Sequence, residues 1–397
     1  MTWGHAVSRD MIHWRELADA LHPDALGTIY SGSAVVDKSN TSGFKRGEHD
    51  PLVCFYTSAA NNPWARQAGS KFAQSIAYSQ DSGKTWSKYQ DNPVIGHIIG
   101  GNRDPKALWH EPTGRWVMAL FLAQREMAFF SSSDLKHWTE QSRWTDCQYE
   151  CPEFFEMAVD GDPARKKWVF YGGSGDYYVG AFDGKRFTPE SDLIKFHHGN
   201  CFYASQTFNN MPDGRRVQIA WGRVATRGMP FNQCMLFPVD LTLHTTEQGE
   251  RLRVNPIPEI ESLHRKTHAS QAFTLEAGQK RVLSGSGDLF HIRAEFVVST
   301  PGSFGLRIHG REILYDAREN KLTCLGKTAS LKPINRRIEL EILVDRTTLE
   351  IFANQGRVYM PMGTIPEEDD RGLEVFSRDG SVRVESIVVH ELNSIWR

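Results

Sequence analysis

Two carboxylates stand apart from the residues around them. Asp104 lies in Gly101-Asn102-Arg103-Asp104-Pro105-Lys106, and Glu150 in Gln148-Tyr149-Glu150-Cys151-Pro152-Glu153-Phe154-Phe155. Each stands at the start of a segment that reads as the inner strand of a propeller blade, and inner strands line the central channel of such a fold. A channel lined by carboxylates and aromatic rings suits glycoside chemistry, in which one acid protonates the leaving oxygen. The same residues serve equally as structure, since a carboxylate at a strand start pairs with a neighbour such as Arg103 or with a backbone turn. On residue types alone, both readings stand.

The elements that must position these groups show themselves as a repeat. Ser8-Arg9-Asp10-Met11-Ile12-His13-Trp14 returns as Ser132-Ser133-Asp134-Leu135-Lys136-His137-Trp138. Ser79-Gln80-Asp81-Ser82-Gly83-Lys84-Thr85-Trp86 is a variant with one extra residue, and Phe182-Asp183-Gly184-Lys185-Arg186-Phe187 a weaker one. The aspartates at 10, 81, 134 and 183 are separated by 71, 53 and 49 residues. A period near 50 with strands between is a propeller pattern. The Asp side chain accepts bonds from turn N–H groups, and Gly or a short polar residue takes the awkward backbone angle. The aromatic then starts the next strand and packs into the neighbouring blade. Apolar runs at Pro51–Thr57, Arg115–Phe121 and Lys167–Tyr171 precede these turns as strands. No window shows a helical period.

The first Asp turn follows only nine residues, whereas later ones follow roughly 40 residues of their own blade. This arithmetic predicts a β-propeller over 1–255 whose first blade has only its outer two strands. Residues 256–271, with two prolines at their start, read as a linker with one helical turn near Glu259–Leu263. Residues 272–397 read as a β-sandwich. Ile338-Glu339-Leu340-Glu341-Ile342 alternates with period two, and Asp345-Arg346-Thr347 and Asn354-Gln355-Gly356 read as turns. The fold class is therefore all-β.

Composition narrows the partners. A net charge of −2 without a basic run argues against nucleic acid. No apolar run reaches the ~18 residues that span a bilayer. The six cysteines form neither a C-x-x-C pair nor a disulfide framework and read as buried thiols. Nothing in the sequence calls for a cofactor or a metal. The residues after Met1 lack a basic start and an apolar run, which leaves the compartment open.

At this point the chain resembles the glycoside hydrolase family 32 β-fructosidases: invertases, levanases and exo-inulinases. The stretches "WGHAVSRDMIHW", "YSGSAVVD", "QSIAYSQDSGKTW", "NRDPK", "ECPEFF", "FYASQTF" and "LEIFANQG" follow one another in that family's order. The resemblance implies a five-bladed β-propeller and a retaining hydrolase releasing fructose from sucrose, levan or inulin. Glu150 would be general acid and then base, and Asp104 would hold fructose hydroxyls and stabilise the transition state. Arg103 would bond to sugar and carboxylates, and Trp3, Ser31 and Tyr203 would line the fructose pocket. Trp64, in the rim loop Asn61-Asn62-Pro63-Trp64, is the candidate platform for a second fructose unit.

One departure matters. The family's nucleophile is the Asp of an N-D-P-N-G motif, and no Asn-Asp-Pro occurs in the 397 residues. In the family that motif precedes "WGHA", so the sequence reads as starting beyond the nucleophile, in agreement with the short first blade. The chain by itself is then expected to be inactive. The alternative is a fructan- or fructose-binding protein that has lost its nucleophile. A different propeller hydrolase, an arabinanase or a sialidase, fits less well. A sialidase needs an arginine cluster, and arabinanases usually lack the sandwich.

Overall fold

Short apolar runs broken by Asp, Gly and Asn fold into antiparallel strands and tight corners in the computed structural model, which describes every residue except 146, 368, 369 and 397. Two units divide the chain: Met1–Arg9 with His13–Ile194, and Asp10–Ile12 with Lys195–Arg397.

In the first unit, β1 (Trp3–Ser8) and β2 (Trp14–Leu21) form a two-stranded sheet. Three meanders follow. They are β3 (Thr28–Val36), β4 (Leu52–Ala59), β5 (Ala73–Ser79) and β6 (Ser87–Lys88); then β7 (Arg103–His110), β8 (Arg115–Ala123), β9 (Glu126–Ser132) and β10 (Thr139–Trp144); then β11 (Glu153–Val159), β12 (Asp162–Tyr171), β13 (Tyr177–Phe182) and β14 (Phe187–Pro189). Each strand pairs antiparallel with the next in its meander.

The four aspartates do what their repeat requires. Asp81 accepts the Thr85 N–H at 2.9 Å, Asp134 that of His137 at 2.8 Å, Asp183 that of Arg186 at 2.7 Å and Asp10 that of Ile12 at 3.0 Å. Burial works against the Asp134 charge, yet His137 and the turn N–H groups outweigh it and hold the carboxyl down to about 2. Three of these corners join the third strand of a meander to its fourth; the Asp10 corner joins β1 to β2. The left-handed backbone angle falls on the residue after each Asp: Met11 (φ 60°), Ser82 (61°), Leu135 (65°) and Gly184 (91°). Glycine supplies it once, and a buried leucine carries it at 135. The aromatic after the corner packs as expected: Trp138 meets Phe55 edge-on at 5.6 Å and Phe187 lies 5.2 Å from Trp144, each ring from the preceding meander.

Because strands alternate in direction, the Asp corners close one end of each meander, while the first strand begins at the other. The connections from second to third strand, residues 60–72, 124–125 and 172–176, share that starting end. The longest of these contains a helix that no sequence pattern announces, α1 (Pro63–Gln67), capped by Asn62 Oδ1 accepting the Ala65 N–H at 2.7 Å. First strands adjoin: Ser33 Oγ on β3 donates to Pro105 O and accepts the Ala107 N–H, both at 2.9 Å.

The second unit opens with strands Phe202–Thr207, Arg216–Gly222, Val239–Thr246 and Gly249–Pro256, paired in that order. A 3-10 turn at Pro258–Leu263 stands where the sequence predicts one helical turn. Strand His264–Ser270 follows and pairs with Val382–Leu392. Seven- and six-stranded sheets then face each other. Phe296, Ile342 and Ile351 of one and Phe304, Leu306 and Val375 of the other fill the shared core. The alternation at 338–342 buries its isoleucines and leucine on this face.

Strand Thr348–Ala353 also buries a carboxylic acid. Glu350 accepts the Tyr359 hydroxyl at 2.6 Å and the Phe237 N–H at 3.0 Å. Burial dominates over these bonds and pushes its pKa up to about 7 from 4.5. A raised acid pKa favours the folded state below the unfolded value, and that contribution is lost as pH rises through the folded value. The loss amounts to about 3 kcal/mol between pH 4.5 and 7. Glu350→Gln keeps the shape and cannot ionise. Its melting temperature relative to the parent is expected to rise between pH 5 and pH 8, as thermal unfolding at both pH values will show. An equal difference at the two values would mean that this carboxyl does not titrate there.

Candidate active site

The starts of the first strands are not regular. The β7/β8 register slips between Arg103 and Lys106, the β3/β4 register between Ile29 and Gly32, and the Phe202–Thr207 strand slips against its partner between Tyr203 and Gln206. Such bulges re-aim side chains at a strand end. Gly32 is required by one of them, because a Cβ there would lie 1.8 Å from Phe55 O. Asp104 (φ 63°), Glu150 (31°) and Cys151 (49°) all adopt left-handed backbone. Each such residue costs about 1–3 kcal/mol and persists where surrounding bonds over-determine it.

Those bonds are present. The Asp104 N–H donates to Thr57 Oγ1 at 3.0 Å. Asp104 Oδ2 accepts the Cys151 N–H at 3.0 Å and its thiol at 3.4 Å. Arg103 donates from Nε (3.0 Å) and Nη2 (2.5 Å) to Glu150 Oε2, and its Nε lies 3.7 Å from Asp104 Oδ2. Nη1 donates to Gly101 O at 2.7 Å, and the guanidinium lies 4.5 Å from the Phe121 ring centre. One planar cation thus touches both carboxylates.

Burial pushes the Asp104 carboxyl above the usual aspartate range, although Cys151 and Arg103 oppose it. For Arg103, burial acts against the charge, but Glu150 and Asp104 more than offset it and raise its pKa. The Asp104 side chain is 7 % exposed and that of Glu150 20 %. The deep anion can steady positive charge, and the shallower carboxyl can reach a leaving oxygen.

The structure brings Arg103, Asp104 and Glu150 into one cluster. Trp3 is linked to it through neighbours. Trp3 Nε1 donates to Tyr30 O at 2.9 Å, and Tyr30 stacks edge-on with Phe72 at 5.7 Å, beside Gly101. Ser31 is exposed within the β3 bulge. Trp64 stands on α1 with 62 % of its surface open. Tyr203 belongs to the second unit, where Arg223 lies 4.3 Å over its ring. Sequence reasoning misses three partners. Cys151 reads as one more buried thiol, although it sits inside the "ECP" stretch. Thr57 and Phe121 leave no signal, because each reaches the cluster only across the fold. Among the described residues, no group of three or more His, Cys, Asp and Glu could hold a metal.

Comparison with known proteins then decides the lineage. Residues 1–256 match the "Glycosyl hydrolases family 32 N-terminal domain" and residues 259–391 the "Glycosyl hydrolases family 32 C terminal". The chain belongs to glycosyl hydrolases family 32. It is 37% identical to a levanase of Bacillus subtilis (strain 168), over 100% of this chain and 65% of that protein. It is 33% identical to a levanase of Bacillus sp. (strain L7), over 100% and 49%. The chain therefore spans about half to two thirds of these relatives' length. Among solved structures, the β-fructofuranosidase from Schwanniomyces occidentalis complexed with fructosyl-erythritol has a TM-score of 0.85 at 27% identity, covering 99% of this chain and 89% of that one. For this family 32 chain, the all-β architecture is consistent with a propeller followed by a β-sandwich.

Proposed function

We propose that this family 32 chain is the fructoside-processing part of a β-fructofuranosidase-type hydrolase that releases fructose from sucrose, levan or inulin with retention. The observation that carries this reading is the clamp of Arg103 on Glu150 beside buried Asp104. Glu150 protonates the leaving oxygen and later activates water; Asp104 and Arg103 grip the fructosyl hydroxyls and steady the oxocarbenium-like charge. Trp3 and Ser31 line the fructose pocket, and Trp64 stacks on a second fructose unit. The relatives' names, levanase among them, and the fructosyl-erythritol held by the Schwanniomyces enzyme support fructosides as the substrate class.

The matching architecture is five blades over 1–255, with β1 and β2 in the outer positions of the first, a linker over 256–271 and a sandwich over 272–397. The Asp10 corner supports this, since the other three corners join third to fourth strands. Retention also requires a carboxylate on the opposite face of the sugar, about 5–5.5 Å from the acid. The motif that supplies it in this family is not among the 397 residues. These residues alone are therefore expected to release no fructose, and the same chain joined to a segment bearing Asn-Asp-Pro-Asn-Gly is expected to release it. The measurement is fructose liberated from sucrose, levan and inulin, with Glu150→Gln as the blank. Release by the 397 residues alone, above that blank, would show that another carboxylate is the nucleophile.

A further inference from the structure

Below the Arg103–Glu150 clamp lies a second charged pair. Lys106 Nζ stands 2.7 Å from Glu153 Oε1, with side chains 7 % and 0 % exposed. Lys106 follows the β7 bulge, and Glu153 is the first residue of β11 after the left-handed turn at Glu150 and Cys151. Three cross-links therefore join the same two strand starts in register: Arg103 to Glu150, Asp104 to Cys151 and Lys106 to Glu153, each partner 47 residues beyond the other. The first two end in the groups assigned to the sugar. The third uses no residue assigned to the sugar.

A fully buried ion pair is weak evidence for stability, because desolvation offsets most of the attraction. Its better use is to fix one arrangement among several. β7 and β11 belong to different sheets, and among the described residues no main-chain ladder between them sets their register. The loop carrying Glu150 has left-handed backbone at Glu150 and Cys151, and its main chain is tied to the β12–β13 connection, where the Gly173 N–H donates to Tyr149 O at 3.1 Å and Glu150 O at 2.9 Å, not to β7. We infer that Lys106 and Glu153 are positioning residues: their ion pair pins the start of β11 to β7, so that Glu150 and Asp104 are held against the same sugar. Misplacement by about 1 Å costs on the order of 10²-fold in rate, so the anchor matters to turnover more than to binding.

The test has two arms. In the chain as it is, the Cys151 thiol is covered by its bond to Asp104 Oδ2, and burial and that anion both favour its protonated form. If the anchor holds the strands together, Lys106→Met combined with Glu153→Leu, which removes both charges and strands neither, loosens this contact. Alkylation of Cys151 by iodoacetamide, followed by peptide mapping, is then expected to run about ten-fold faster or more in the folded variant. Lys106→Arg, which keeps the pair, should stay close to the parent. A folded double variant with the parent rate at Cys151 overturns the inference. If the double variant does not fold, Glu153→Asp, which shortens one arm by a methylene, takes its place: faster alkylation supports the anchor and the parent rate overturns it. The second arm rests on the function proposed above and uses the chain joined to the nucleophile segment. There kcat of the double variant is expected to fall about ten-fold or more, with KM within about two-fold. An unchanged kcat overturns the inference. A parent that releases no fructose overturns the proposed function instead, and the alkylation arm still decides the anchor.

Discussion

Replacing Glu150 by Gln in the chain joined to a segment bearing Asn-Asp-Pro-Asn-Gly is expected to lower kcat on sucrose by about 10²–10⁴-fold, the range a positioned general acid contributes. The amide keeps an oxygen for the Arg103 guanidinium, which donates to Glu150 Oε2 from two nitrogens. The geometry of the clamp should survive while the transferable proton is lost. The defect should shrink for aryl fructosides whose leaving group needs no proton, because only the first step then escapes the requirement. Steady-state kinetics on both substrates will show the contrast. Near-normal turnover of sucrose by the variant would remove Glu150 from the role of acid.

Asp104→Asn is expected to fail differently. The charge lost is the buried one, 7 % exposed and 3.7 Å from Arg103 Nε. An asparagine oxygen can still accept the Cys151 N–H, so the left-handed strand start should hold. What disappears is a fixed anion facing developing positive charge, typically worth about 10²–10³-fold in kcat. KM should change much less. The pH profile gives a second check. Burial raises the Asp104 pKa, and the carboxylate is the form that stabilises charge. Activity should therefore fall on the acid side above the ordinary aspartate range, and the variant should lose that limb. A variant in which only KM rises would place Asp104 in ground-state binding.

The repeat makes much of the scaffold legible. Asp10, Asp81, Asp134 and Asp183 all accept turn N–H groups, and the runs at 51–57, 115–121 and 167–171 overlap β4, β8 and β12. These features are local, because a side chain bonding two to four residues away leaves its mark in the sequence. The alternation at 338–342 is legible for the same reason, since burial on one face writes itself with period two. The site is legible only as types and motifs. Nothing local announces a left-handed angle at Asp104 or Cys151, because neither residue is glycine and the angle is enforced by Thr57 and by the facing strand start. Leu135 shows the same limit inside the repeat: a leucine takes the angle that a glycine or a short polar residue is expected to supply. The α1 helix escapes detection because a single turn is too short for periodicity, and only Asn62-Pro63 marks its start.

The opposed ends of the meanders bear on how such a protein changes over time. The Asp corners hold one end, and the strand starts with their bulges occupy the other. Insertions between second and third strands enter at the starting end and leave the corners untouched. Residues 60–72 make a capped helix there, while 124–125 make a two-residue return. Loop length at the starting end is thus a free variable, and foldability is guarded at the far one. A library that randomises 60–72 should contain mostly folded members with altered chain-length preference, and one that randomises residues 79–86 or 132–138 should contain mostly unfolded ones. Selection can vary the starting end without renegotiating how the meanders fold.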